Sequence, residues 1–476
     1  MRIFQRLARK RRPRRPRVST AVFDLNHADK TCGIQTAIDI GSESEMKEVY
    51  VPNAGQSWII QSPDDPNKND ARLAIPAIRL RSNLRLILLP GAVIEAKRNH
   101  PQFEGKYTSL MGGDQLQNVT IIGYGATLKM WRADYAGPFT FNGNTTNVLG
   151  YTQSEWRHSL IFRGGHNIWV EGLTAQSTGG DCISLEPYDP EGSNTPCSQI
   201  TLKNNIFKEA RRNVISITSC SGLQAEDCTF MDGTGTAPQS ACDIEPEDFG
   251  GEIISGIYFK RCTFSTGPSR ALLVNWDSAT VMTSPAGVVF EDCAFNSSGR
   301  GIHFVHTISG AGPTSGTVKF LNCTITTTNW AAVLATLHRS TNIVYSFKGL
   351  TINKPATLNQ ALSPFTLAAP VEFNLTGSDS ATTTPHVTFE DVQVNEDTFD
   401  RKAVLTANVS GTSKFVSGAI RLRKSGTQNT AQAVAELPLL LVDYYTPAQE
   451  ARVNTTGVVE PVLDPVYLDS HNRVIK

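Results

Sequence analysis

The 476-residue chain is poor in several things that usually announce a function. It has no run of the roughly eighteen or more apolar residues that would span a membrane. Its nine cysteines form no CxxC pair and fall at no Cys/His spacing of a metal site, so neither a zinc module nor a disulfide framework is indicated. Charged residues make up only 18% of the chain and cancel to a net charge of zero. That balance is uneven along the sequence. Nine Lys and Arg residues lie between Met1 and Val18, which leaves the body acidic by about nine charges and excludes a nucleic-acid-binding body. The basic segment also lacks the apolar stretch of a secretory signal, and Pro13 and Pro16 oppose a helix, so residues 1–20 are expected to form a disordered tail.

What the chain does contain is repetition. An alternating apolar strand, a small or polar corner residue and a second short strand recur as NVTIIGYGATL from Asn118, NIWVEGLTA from Asn167 and GLQAEDCTF from Gly222. The unit continues as GIYFKRCTF from Gly256, GVVFEDCAF from Gly287, TVKFLNCTI from Thr317 and HVTFEDVQV from His386. Cys228, Cys262, Cys293 and Cys323 hold one place in it, at intervals of 34, 31 and 30 residues, as a stack of small buried side chains would. Short strands at such a period, with Gly, Asn and Asp at the corners, predict coils stacked through parallel hydrogen bonds.

In these features the chain resembles the right-handed parallel β-helix proteins of the pectate-lyase-like superfamily, over roughly Cys32 to Asn395. The resemblance implies an all-β solenoid, with the amphipathic segment around Gly33–Ile40 as a short N-terminal capping helix. The expected organisation is a parallel β-helix over 21–398, a loop insertion at 124–166 rich in aromatics such as Trp131, Tyr135 and Trp156, and a C-terminal β cap and extended tail over 399–476.

Polar residues concentrate in TGGDCISLEP, RRNVISITSC and ACDIEPED, on three consecutive coils. Aligned by their apolar positions, the coils place Ser184, Ser216, Asp243, Leu273 and His303 in one outward column. A second holds Glu186, Thr218, Glu245, Asn275 and Val305. Neighbouring strands lie about 4.8 Å apart and same-face residues about 7 Å apart, so carboxylates here fall at the separations that glycoside hydrolysis uses. Crowding of like charges would raise one pKa and supply a general acid. Asp181, Asp243 and Glu245 are therefore the candidate catalytic residues. Glu155, Arg157, Glu186, Arg211, Arg212, Asn275, Trp276 and His303 are candidate substrate contacts.

TGGDCISL is also similar to a signature of the polygalacturonase-type glycoside hydrolases of family 28. That resemblance implies that Asp181 corresponds to the family's acid; Gly180 replaces a preceding aspartate, and Asn213 or Arg212 stands where a histidine is usual. The leading expectation is a glycoside hydrolase needing no cofactor and acting on a polysaccharide or oligosaccharide. The alternatives are a polysaccharide lyase or uronate epimerase using Arg211 or Arg212, with calcium held by Glu245, Glu247 and Asp248, and a non-catalytic sugar-binding solenoid. A homo-oligomer is compatible with all three. Such substrates point to a periplasmic or extracellular place of action.

Overall fold

The computed structural model describes, with short gaps, residues 31–61, 73–98, 107–136, 156–278 and 281–355, together with Val18–Ser19 and separate strands further on. The chain forms the expected parallel β-helix. Its helix Thr31–Glu43 closes the first coils, burying Ile34, Ala37 and Ile38 at helical spacing. Each full coil then contributes two strands to a long sheet and one to a shorter, eleven-stranded sheet.

The sequence explains the corners. In AEDCTF, FKRCTF, FEDCAF and FLNCTI the residue before each cysteine, Asp227, Arg261, Asp292 or Asn322, has a φ between 51 and 55°, which turns the chain between the two strands of the long sheet. The cysteine that follows points inward, its thiol donating to carbonyls: Cys262 to Ala225 and Lys260, both at 3.4 Å, and Cys293 to Glu291 at 3.3 Å. All eight described cysteines are buried and unpaired. Beside them run two phenylalanine stacks, Phe230–Phe264–Phe295 with ring centroids 5.1 and 5.0 Å apart, and Phe259–Phe290–Phe320–Phe347, each step 5.0 Å.

Three boundaries differ from expectation. Val18–Ser19 pairs in parallel with Val49–Tyr50, so the first strand begins inside the expected tail, while residues 1–17 lie outside the described residues. Thr127–Lys129 and Leu160–Arg163 are regular rungs, which narrows the insertion from 124–166 to about 130–159. At the other end, Val416–Lys424 still pairs in parallel with His386–Glu396, so stacking continues past residue 398. Among the described residues no helix is long and apolar enough to cross a membrane.

Candidate active site

The strands Leu160–Arg163, Ile183–Glu186, Ile215–Ile217, Ser240–Ile244, Arg270–Asn275 and Arg300–His306 lie side by side on the shorter sheet. Their register is the one expected, with Ser184, Ser216, Asp243, Leu273 and His303 in one column. Over this wall opens a cleft with an enclosed volume of about 70 Å³. It is lined by Tyr107, Trp156, His158, Glu186, Tyr188, Arg212 and Glu247, among others. Trp156 comes from the insertion and stacks on Tyr107, with centroids 4.7 Å apart and planes 22° from parallel. That pair offers flat apolar rings at the edge of an otherwise polar cleft.

The carboxylates divide into two levels. Glu186 and Glu247 face the cleft. Glu186 accepts a hydrogen bond from the Ser184 hydroxyl at 2.7 Å. Glu247 is pushed up to about 7, first by burial and then by the Glu186 charge, so it exchanges its proton in the neutral range. Beneath them, Asp181 and Asp243 are 0% and 1% exposed. The expectation that these two face the groove is corrected. Asp181 precedes the strand and is covered, its Oδ1 accepting the Asn213 backbone N–H at 2.8 Å. Asp243 points outward from its strand but is covered, and its Oδ2 accepts from the Asn213 side chain at 2.6 Å. Burial drives both acids upward, most strongly Asp243, which also feels Glu245.

Arg212 ties the levels together. Its guanidinium lies 3.5 Å from Asp181 and 3.7 Å from Glu245 and forms part of the cleft lining. Glu245 in turn accepts from Asn275 at 2.7 Å and from Ser278 at 2.9 Å, so Asn275 orients a carboxylate. His158 lies wholly within the wall. Its Nδ1 accepts the Asp181 amide N–H at 3.0 Å, which leaves the ring proton on Nε2, 3.6 Å from Glu186. Burial lowers its pKa to about 4, so the ring is neutral and its approach to both carboxylates is not an ion pair.

Other expected contacts lie elsewhere. Trp276 is 0% exposed; it is one residue past the outward Asn275, so its ring enters the coil, where the indole donates to the Tyr345 hydroxyl at 3.2 Å. Arg157 is also fully buried, its guanidinium 5.2 Å from the Tyr135 ring centroid. Arg211 packs at the Gly233–Gly235 corner, away from the cleft lining. Trp131 lies in a separate groove with Arg98 and Lys129. His303 is half-buried further along the column, and Glu155 lies outside the described residues, as does Asp248. Among the described residues no group of three or more His, Cys, Asp or Glu side chains is arranged to hold a metal ion.

Fold and site together define a parallel β-helix with an acidic, aromatic-edged cleft on its shorter sheet. No family model matches the chain. It is 23% identical over 289 residues to the SPbeta prophage-derived uncharacterized protein YorA of Bacillus subtilis, covering 60% of this chain and 42% of that protein. A second Bacillus subtilis protein, the uncharacterized YclG, is 30% identical over 96 residues, covering 19% of this chain and 16% of the relative. The chain thus spans less than half the length of either curated relative. Among solved structures, the A-module of mannuronan C-5 epimerase AlgE6 from Azotobacter vinelandii superposes over 90% of this chain and 96% of its own, with a TM-score of 0.56 at 12% identity. At that identity the likeness is one of fold.

Proposed function

We propose that the protein is a carbohydrate-active enzyme that hydrolyses glycosidic bonds, with Glu247 as general acid and Glu186 as its partner carboxylate. The observation that carries this reading is the placement of two glutamates in one cleft, one of them with its pKa raised to about 7 by burial and by the other's charge. Glycoside hydrolysis asks for this division between a carboxylic acid and a carboxylate. Glu247 gives its proton to the leaving oxygen as the bond from the anomeric carbon breaks. Glu186 faces the developing positive charge and takes up the proton of the attacking water. Arg212, held by Asp181 and Glu245, fixes the cleft's charge pattern, and the Tyr107–Trp156 pair receives the apolar face of a sugar ring. In this reading Asp181 and Asp243 are positioning residues.

A second reading draws on Tyr188 and Arg212 in the same lining. A phenol and a guanidinium suit proton abstraction beside a uronate carboxylate, the chemistry of lyases and epimerases. One assay separates the two. Polysaccharides of neutral, uronic and sulfated type are incubated with the protein, and new reducing ends are measured beside ultraviolet-absorbing unsaturated ends. Reducing ends alone, lost in Glu247→Gln by about 10²–10⁴-fold, support hydrolysis. Unsaturated ends that persist in that variant overturn it.

A further inference from the structure

The shorter sheet carries a second polar focus beyond the acidic cleft. Arg270 and Arg300 are register partners on adjacent strands, and the rung between Leu273 and His303 follows three residues on. Parallel strands lie about 4.8 Å apart, and like charges directly opposite one another are disfavoured. Among the described residues neither arginine has an ion-pair partner. Among the described residues the one acceptor of Arg270 is the Pro238 carbonyl, 3.3 Å from its Nη1, while its Nε is buried without an acceptor. The Nδ1 of His303 is buried and unpartnered as well. Arg300 lies over the Trp330 ring, 4.8 Å from its centroid, and that ring is 50% exposed.

The neighbouring acids do not resolve this excess of positive charge. Asp243 and Glu245 are close enough for Arg270 to feel, yet Asp243 is bonded to Asn213, and Glu245 to Asn275, Ser278 and Arg212. Burial and the Arg300 charge together pull Arg270 down from its usual range. His303 is lowered to about 3 by burial and by both arginines, and is therefore a neutral ring that feels both cations. Arg270 Nε and His303 Nδ1 are thus buried without partners near an Arg300 that has no counter-ion among the described residues, and the one open acceptor beside them is the buried Oδ1 of Asp243. An anion brought there would gain charge-assisted hydrogen bonds from groups already desolvated.

We propose that Arg270, Arg300 and His303 form an anion subsite, with Trp330 as its platform, which receives the carboxylate or sulfate of a sugar unit in a chain that also occupies the Glu186–Glu247 cleft. The substrate is accordingly an acidic polysaccharide. This rests on the preceding reading for the sugar chain, but binding and cleavage can be measured apart.

The test is affinity electrophoresis of the whole protein in polygalacturonate, in its carboxyl-reduced counterpart and in dextran sulfate. The expected result is retardation by at least one of the two polyanions, weakened by added salt and absent in the reduced polymer. Arg300→Gln and Arg270→Gln should each lower that affinity about tenfold, as loss of a hydrogen bond to a charged group does. Arg300 is half-exposed, so its variant should melt like the parent; if Arg270→Gln does not fold, Arg300→Gln and the salt dependence decide. Retardation by polygalacturonate alone identifies a carboxylate, and by dextran sulfate alone a sulfate. No binding to either polyanion, equal binding to the reduced polymer, or unchanged affinity in Arg300→Gln overturns the subsite. Glu247→Gln should keep the binding and lose turnover; if it keeps both, the subsite stands and the cleavage reading falls.

Discussion

The two sheets of this solenoid are built from the same coils and yet handle charge in opposite ways. On the long sheet, strands such as Ala286–Glu291 alternate buried and half-buried positions, and outward charges meet partners one coil away: Lys260 with Glu291 at 2.8 Å and Arg261 with Asp227 at 2.8 Å. On the shorter sheet the strands Ile215–Ile217 and Ser240–Ile244 are buried on both faces. There burial pushes Asp243 and Glu247 upward, and Arg270 and Arg300 stand without counter-ions among the described residues. A wall that only had to stack would not retain such groups, since buried unpaired charge opposes folding. The difference supports the shorter sheet as the place of the proposed chemistry.

The contrast is sharpest in activity. Glu247→Gln should abolish most turnover, whereas Arg261→Ala, on the opposite sheet, should leave kcat unchanged; reducing-end assays on both variants check this. For stability the order reverses. Phe264→Ala opens a hole between Phe230 and Phe295 and should cost about 3–5 kcal/mol in denaturant titration. Asn213→Ala removes the amide shared by Asp243, Ser216 and the Ser240 N–H, and leaving buried partners unsatisfied should cost about 1–3 kcal/mol. Unlike the Phe264 variant at equal folded fraction, it should also lower kcat, because the acids beneath the cleft lose their bracket.

A smaller effect concerns pH. Glu247 is raised in the folded state, so folding favours its protonated form; that contribution is complete below the unfolded carboxylate range and is lost as pH rises through about 7. His158 and His303 are lowered and act in the opposite sense, but only from their folded values of about 4 and about 3 up to the ordinary histidine range. Above about pH 6.5 the raised carboxyls, Glu247 and the still more strongly raised Asp243, dominate, and the melting temperature should fall slightly towards pH 8. Glu247→Gln should lessen that decline without removing it. The smallest effect is expected for Arg261→Ala, whose exposed pairs with Glu226 and Asp227 should give no resolvable change in melting temperature.

Much of the fold was legible because a two-residue side-chain period and a coil period of about thirty residues are both written in the sequence. The cysteine places, the capping helix and the side-by-side columns on the shorter sheet all follow from them. Parity also carries the lesson of the misassigned residues. Trp276 breaks the parity of Leu273 and Asn275, so alternation itself sends it inward, whereas Asp181 stands before a bend at Cys182, where alternation does not reach. Continued from Asp243 and Glu245, the same alternation reaches Glu247. Parity could not reveal that Asp243 is covered despite facing outward. It is equally silent on the insertion, where no period distinguishes Trp156, which lines the cleft, from Arg157 beside it, which is buried.

The column of thiols from Cys228 to Cys323 has a practical consequence. Against a lowering contact with Cys228, the Cys293 thiol and then burial raise Cys262 to about 12, far from the reactive thiolate, and every described cysteine is shielded. A maleimide added to the native protein should therefore find each of these sulfurs only when its own rung opens. Mass mapping of the labelled sites over time would show, rung by rung, where along its axis the solenoid unzips first.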